Sequence, residues 1–327
     1  MKFCLSRISL CTGYQTSIWL FVDQFLACRK RVCYISLAYV VFTSLACADY
    51  VEVTLLGTGT PRPSIERFGS ATLIEAGGQY FLFDAGRGAT IRLQQAGITP
   101  NQIQKVFLTH LHSDHISGLD DLWITGWIYQ REGDLTVHGP LGTENMIDSM
   151  RTMYREDIGY RTANVGHEDA YLQGVEVTSG VVFEDSLVKI TAFEVSHQPV
   201  EPALAYRLDF GKRSVVISGD TTYSSNLVNH AKNVDVLIHE ITDARSELVK
   251  RNPRLSKIMA YHTIPQQLAR VLNETRPRLA VMNHVLLFGV SETSVLNKIQ
   301  QGYQGRVQFG ADLMRIQVGE NINILSH

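Results

Sequence analysis

From Tyr50 onward the chain alternates short apolar runs rich in β-branched and aromatic residues with amphipathic stretches, and Gly, Asp or His marks the junctions. That alternation predicts an α/β fold. Strands are expected at Val51–Leu56, Ala71–Glu75, Tyr80–Asp84, Lys105–Thr109, Leu135–His138, Val188–Val195, Ala203–Phe210, Ser214–Ser218, Val234–His239, Leu279–Asn283 and Leu313–Val318. Helices are expected at Ala89–Ala96, Leu119–Arg131, Thr143–Asp157, Ser225–Ala231, Pro265–Thr275 and Glu292–Gln301. Ala76-Gly77-Gly78-Gln79 reads as the turn of a hairpin, so antiparallel pairing enters early. Two strand-rich halves with helices interspersed suggest two sheets facing each other with helices outside. Neither a low-complexity linker nor a repeat of about 20 to 50 residues divides the chain.

Upstream, Arg29-Lys30-Arg31 precede an apolar run from Val32 to Ala46, and Ala46-Cys47-Ala48 supplies a small-x-small pattern. This is a signal-peptide layout. The run is shorter than the roughly 20 residues of a spanning helix, so no stable membrane anchor is expected. The reading divides the chain into a leader over residues 1–48, cleaved near Ala48, and one folded domain over 49–327, periplasmic or secreted. A second apolar stretch, Ile18 to Ala27, makes the leader long, which also fits a start codon assigned too early and a cytoplasmic protein; lipidation at Cys47 is a further variant. Cys4, Cys11, Cys28, Cys33 and Cys47 are the only cysteines, so the folded body has none, as suits an oxidising compartment.

Of the 327 residues, 45% are hydrophobic and 19% charged, which leaves ample material for a core. The formal net charge of −2 argues against the broad basic field of a general nucleic-acid binder.

The chemistry concentrates where Val106 to Thr109 runs into His110-Leu111-His112-Ser113-Asp114-His115. In extended backbone, residues two apart point to the same side, so His110 and His112 can present imidazoles to one metal, while Asp114 and His115 lie where the chain turns. A pair of metals needs more donors than these. His197, Asp220 and His284 each follow an apolar strand and are the candidates.

These residues carry a resemblance. Leu56-Gly57-Thr58-Gly59-Thr60, Phe83-Asp84-Ala85-Gly86, Thr109-His110-Leu111-His112-Ser113-Asp114-His115, Gly219-Asp220-Thr221 and Asn283-His284 resemble the successive motifs of the metallo-β-lactamase superfamily. Leu237-Ile238-His239-Glu240 and Tyr261-His262-Thr263 resemble the branch of ribonuclease Z and its arylsulfatase-like relatives. The resemblance implies a four-layered αββα sandwich, an α/β fold with the metals in a cleft at the sheet edges. It assigns His110, His112 and His197 to one zinc, Asp114, His115 and His284 to the other, and Asp220 to both. It favours two zinc ions, with manganese or iron as alternatives, because iron-dependent relatives carry glutamate in place of His112. A homodimer is the family habit.

Two departures from ribonuclease Z shape the expected substrate. Pro61 to Ser70 lacks the family's asparagine, and residues 155–187 hold no lysine- and glycine-rich excursion to serve as the arm that grips transfer RNA. Together with the net charge and the leader, they lead to the expectation of an exported hydrolase of small phosphodiester or sulfate esters, with nucleic acid set aside. Transfer-RNA 3′ processing and lactone or β-lactam hydrolysis are the alternatives. Two divalent cations about 3.5 to 4 Å apart lower the pKa of water toward about 7. Asp114 is the expected acceptor or orienter of the water proton, and His239, positioned by Glu240, the expected general acid. His262 is read as an anion contact or a surface residue, and Trp123 and Trp127 as core or pocket wall.

Overall fold

The computed structural model describes residues 50–166 and 169–325. The expected signal peptide and all the cysteines lie outside the described residues. Among those described, no helix is long and apolar enough to cross a membrane.

Two mixed sheets stack face to face. The first has the order β15 (Ile322–Leu325), β14 (Met314–Val318), β1 (Val51–Gly57), β2 (Ala71–Ala76), β3 (Gln79–Phe83), β4 (Lys105–Phe107), β5 (Leu135–Gly139) and β6 (Leu172–Glu176). The second runs β13 (Val307–Phe309), β12 (Leu279–Phe288), β11 (Val236–Ala244), β10 (Arg213–Ile217), β9 (Val200–Phe210), β8 (Val188–His197) and β7 (Gly180–Glu184). Alternation decides what each strand buries. Val53, Phe81, Phe107, Tyr206, Ile217, Ile238 and Val281 fill the space between the sheets. Their neighbours in sequence face outward onto helices. Leu82 and Val106 pack with Leu93 of α1 (Ala89–Gln95) and Trp123 of α3 (Leu119–Ile128). Leu237 and Met282 pack with Leu227 of α6 (Ser225–His230), Leu268 of α9 (Pro265–Thr275) and Val295 of α10 (Glu292–Gln300). The result is the expected αββα sandwich.

Local chemistry accounts for the boundaries. Gly77 and Gly78, at φ 59° and 76°, make the two-residue turn that pairs β2 with β3 in antiparallel register. The α9 helix starts with Pro265, whose missing N–H costs nothing in the first turn, and buries Leu268, Val271, Leu272 and Thr275 along one face.

The other helices are α2 (Ser113–Ile116), α4 (Thr143–Met153), α5 (Arg155–Val165), α7 (Ser246–Arg251) and α8 (Pro253–Ala260). Here the structure departs from the sequence reading. The single helix expected over Thr143–Asp157 breaks at Tyr154 into α4 and α5. The unexpected α7 and α8 are six and eight residues long, shorter than the stretch over which a helical period is read, although Leu255, Ile258 and Met259 share one face of α8. The strands β6 and β7, also unexpected, are edge strands with mostly exposed or half-buried residues.

Candidate metal centre

After β4 ends at Phe107, the chain is clamped between both sheets: the Leu108 amide donates to His138 O at 2.7 Å, and the Leu204 amide donates to Thr109 O at 2.8 Å. The loop that follows is thus fixed before it reaches His110. Asp84, at φ 58° just past β3, is 2% exposed. Its carboxylate accepts from the Thr109 amide at 2.8 Å and from His115 Nδ1 at 2.7 Å. That second bond leaves His115 Nε2 as the nitrogen aimed inward. Gly86 lets the turn after β3 touch the loop, since a Cβ there would lie 2.2 Å from Asp114 O. His112 stays extended, at φ −63° and ψ 146°, and the single helical turn of α2 then swings Asp114 and His115 away from it.

The second sheet delivers the other donors by irregularities of its strands. His197 ends β8 beyond a register shift at Val195. Asp220 follows Gly219, which sits at φ 58° with Thr109 Cβ 2.8 Å from where its own Cβ would be. In β12, Asn283 pairs with Glu240 and Val285 with Ile241, so His284 is an extra, bulged residue at φ 42°. By alternation it would follow Met282 to the helix side; the bulge turns it to the cleft instead.

The side chains meet in two main groups, and Asp220 and His284 also close on His262 as a third. His110, His112, His197 and Asp220 form one, and Asp114, His115 and His284 the other, each with donor atoms within 4.8 Å of one another. All but His112 are buried. His112 Nδ1 lies 3.0 Å from His110 Nε2 and 3.4 Å from His197 Nε2. Asp114 Oδ2 lies 3.0 Å from His284 Nε2. Asp220 stands between the groups: Oδ2 is 3.8 Å from both His110 Nε2 and His197 Nε2, and Oδ1 is 3.4 Å from His115 Nε2. His115 Nε2 and Asp220 Oδ1 are buried and have no hydrogen-bond partner, which a cation between them would remedy. The donor set therefore fits a pair of metal ions.

The electrostatics agree. Burial pushes the His110 imidazole well below its ordinary range, and neighbouring His115 adds to the effect; burial likewise lowers His112 and His197. Neutral imidazoles are what a metal takes up. Burial opposes a charge on His115, yet the Asp220 and Asp84 carboxylates overcome it and hold that imidazole well above its ordinary range. Burial would raise Asp114 and Asp220, but His284 and His115 keep both carboxylates low. The carboxylates thus create a negative potential that draws positive charge into a dry site.

The structure places His239, the expected general acid, outside both donor groups. His239 and Glu240 are adjacent on β11 and so face opposite ways. Glu240 shares the parity of Val236 and Ile238 and points between the sheets, whereas His239 shares that of Leu237 and Ile241 and points toward the helices. His239 Nδ1 donates to the Glu240 main-chain carbonyl at 2.8 Å, and the side chain is 1% exposed, outside both metal groups. The Glu240 carboxylate instead accepts from His262 Nδ1 at 3.0 Å. His262 is 5% exposed rather than on the surface, 4.0 Å from Asp220, with its pKa raised to about 9; burial opposes the rise and Glu240 drives it. The one signal in the sequence was the Tyr261-His262-Thr263 motif. Trp123 and Trp127 both lie in the core under the first sheet rather than lining a pocket.

Comparison with known proteins places this geometry. The family model described as "Anti-Pycsar protein Apyc1" matches residues 51–281. Ribonuclease Z of Mycobacterium sp. (strain KMS) is 34% identical over 278 residues, covering 82% of this chain and 96% of that protein. Among solved structures, the metallo-β-lactamase fold protein YhfI from Bacillus subtilis superposes with a TM-score of 0.66 at 18% identity, over 82% of this chain and all (100%) of that one. The short form of human tRNase Z superposes with a TM-score of 0.59 at 24% identity, over 82% and 99% of the two chains. The expectation that set nucleic acid aside in favour of a small ester is overturned by the ribonuclease Z matches, which run nearly the full length of those proteins. Its physical weakness is that a formal charge of −2 sums over the whole chain and does not register where the cations sit.

Proposed function

Because the chain belongs to the Anti-Pycsar protein Apyc1 family and, as a close relative of ribonuclease Z, to the metallo-β-lactamase superfamily of hydrolases, we propose that it is a metal-dependent endonuclease that hydrolyses a phosphodiester bond of RNA, with a transfer RNA precursor as its substrate. The observation that carries this reading is Asp220 standing between two groups of metal donors, in a chain of which 82% aligns with 96% of a ribonuclease Z.

We assign His110, His112 and His197 to one cation, Asp114, His115 and His284 to the other, and Asp220 to both. Imidazole and carboxylate donors without a thiolate suit zinc. A bound pair of divalent cations supplies water of lowered pKa and offsets the charge that grows on phosphoryl oxygens. The chain's own groups prepare the rest. Asp84 and Thr109 fix the His115 ring. Asp114, kept ionised by His284, is an orienting carboxylate. His262, anchored through Nδ1 by Glu240, is the proton donor to the leaving oxygen, with Nε2 as the atom that transfers it.

The test is incubation of the zinc-loaded protein with a 3′-extended transfer RNA precursor. One discrete shortened product is expected, lost on Asp220→Ala. Intact RNA from a preparation holding about two zinc equivalents per chain overturns the proposal. The reading also requires a folded body that meets RNA in the cytoplasm. Fractionation that finds all of the protein in the periplasm, where the leader would send it, counts equally against it.

A further inference from the structure

The unforeseen α7–α8 hairpin has no evident work to do for folding: α7 buries nothing and α8 only Leu255. Its composition is lopsided. Between Arg245 and Lys257 the chain carries Arg245, Lys250, Arg251, Arg254 and Lys257 against the single carboxylate of Glu247, in a protein whose formal net charge is −2. All five cations are exposed, and none forms an ion pair among the described residues. An ordinary solvated face mixes both signs, as α4 does with Asp148 and Arg151.

Both feet of the hairpin join segments that carry or touch the metal donors. At its start the Arg245 amide donates to Phe288 O at 3.0 Å, four residues along β12 from His284. At its end Tyr261 O accepts from His197 Nδ1 at 2.9 Å, and His262 follows. A sixth exposed cation joins the same rim, since the Arg62 guanidinium donates to Leu287 O at 3.1 Å.

We propose that the α7–α8 hairpin is a clamp for the RNA backbone, with Lys250, Arg251, Arg254 and Lys257 holding phosphates of the strand that runs out of the metal centre. This rests on the reading of the site as an RNA phosphodiesterase and adds where the polyanion lies. Exposed cations neutralise phosphates without reading sequence, so the contact is electrostatic and salt-dependent. It also supplies a grip in a chain whose described residues between α5 and β8 form the edge strands β6 and β7.

The test uses the full chain, a fluorescein-labelled oligouridine for anisotropy, and the KM for cleavage of a transfer RNA precursor. The doubles K250Q/R251Q and R254Q/K257Q are each expected to weaken binding roughly tenfold near 0.15 M salt and to raise KM, and to reduce the salt slope by about 1.4, since each single-strand phosphate contributes about 0.7. The double K212Q/K232Q, at the far ends of β10 and β11, binds as wild type does. The charge-conserving R254K/K257R retains binding, which separates loss of charge from loss of the helix. Wild-type cleavage of the precursor with unweakened binding by both hairpin doubles overturns the clamp alone. An equal loss in K212Q/K232Q overturns it too, as does hairpin-dependent binding to phosphatidylserine vesicles without binding to RNA. A wild-type protein that neither binds nor cleaves RNA overturns the clamp and the proposed function together.

Discussion

Glu240 Oε1 accepts a hydrogen bond from His262 Nδ1 at 3.0 Å, joining the middle of β11 to the turn before α9. The same oxygen takes the Thr221 amide at 3.0 Å and the Thr263 amide at 3.1 Å. One buried carboxylate oxygen thereby ties the segment carrying Asp220 to the segment carrying His262. The imidazole is held with one nitrogen occupied and the other available, while the neighbouring His239 is turned out of the cleft by strand alternation.

His262→Ala is therefore expected to lower kcat on the RNA precursor by about 10² to 10³, the usual worth of a positioned general acid, while metal content stays at the wild-type level. His239→Leu removes a buried Nε2 that has no partner together with the Nδ1 bond to the Glu240 carbonyl, and should keep activity at a cost of about 0.5 to 1.5 kcal/mol of stability. Steady-state kinetics and metal analysis on the two variants decide the matter. A large loss of kcat in H239L with none in H262A reverses the assignment.

Among the described residues Asp220 stands between both donor groups, so its removal should cost more than one ion. Wild-type protein is expected to bind about two equivalents of zinc; D220A should bind fewer than one, and H112A about one, since the Asp114, His115 and His284 group survives that change. Elemental analysis after gel filtration reads this directly. Equal metal content in D220A and H112A would show that Asp220 does not bridge.

How much of this was legible in the sequence depends on what positions each residue. The His110 to His115 segment could be read because its geometry is local: an extended stretch followed by one helical turn separates the two pairs of donors. His284 was found by the apolar strand before it, yet its orientation depends on a bulge against β11, a relation between strands that no single stretch encodes. The placement of His239 was hidden for the same reason. The motif pairs it with Glu240 in sequence, whereas the pleat separates them in space and brings in His262 from 22 residues beyond Glu240. The α7–α8 hairpin was missed because its helices are six and eight residues long, shorter than the stretch over which a helical period stands out, even though Leu255, Ile258 and Met259 share one face of α8.

Removal of metal should destabilise the fold as well as abolish activity. The seven donors include buried imidazoles and carboxylates that face one another at 3.0 to 3.8 Å, an arrangement that a cation favours in the native state alone. An ion present at about 1,000 times its dissociation constant contributes about 4 kcal/mol. Each kcal/mol corresponds to roughly 2 to 4 °C of melting temperature for a domain of about this size. Thermal melts with and without a chelator should differ accordingly and recover on adding zinc. Identical melting temperatures would mean that the site holds no structural ion.

Asp84→Asn is the sharpest probe of how the chain prepares its donors. The carboxylate does two things: it accepts the Thr109 amide at 2.8 Å, and it accepts from His115 Nδ1 at 2.7 Å. An asparagine can keep the first bond through its carbonyl oxygen, so the loop stays in place. Toward His115 it can present its amide nitrogen, a donor, which favours the tautomer protonated at Nε2 and blocks the atom that faces Asp220. D84N is therefore expected to fold as wild type does and to lose about 10- to 100-fold in affinity for one metal. D84A also strands the buried Thr109 amide and should cost about 1 to 3 kcal/mol of stability in addition. Chelator competition measures the first effect and denaturant unfolding the second. If D84N binds metal as tightly as wild type, Asp84 holds the loop and does not set the state of His115.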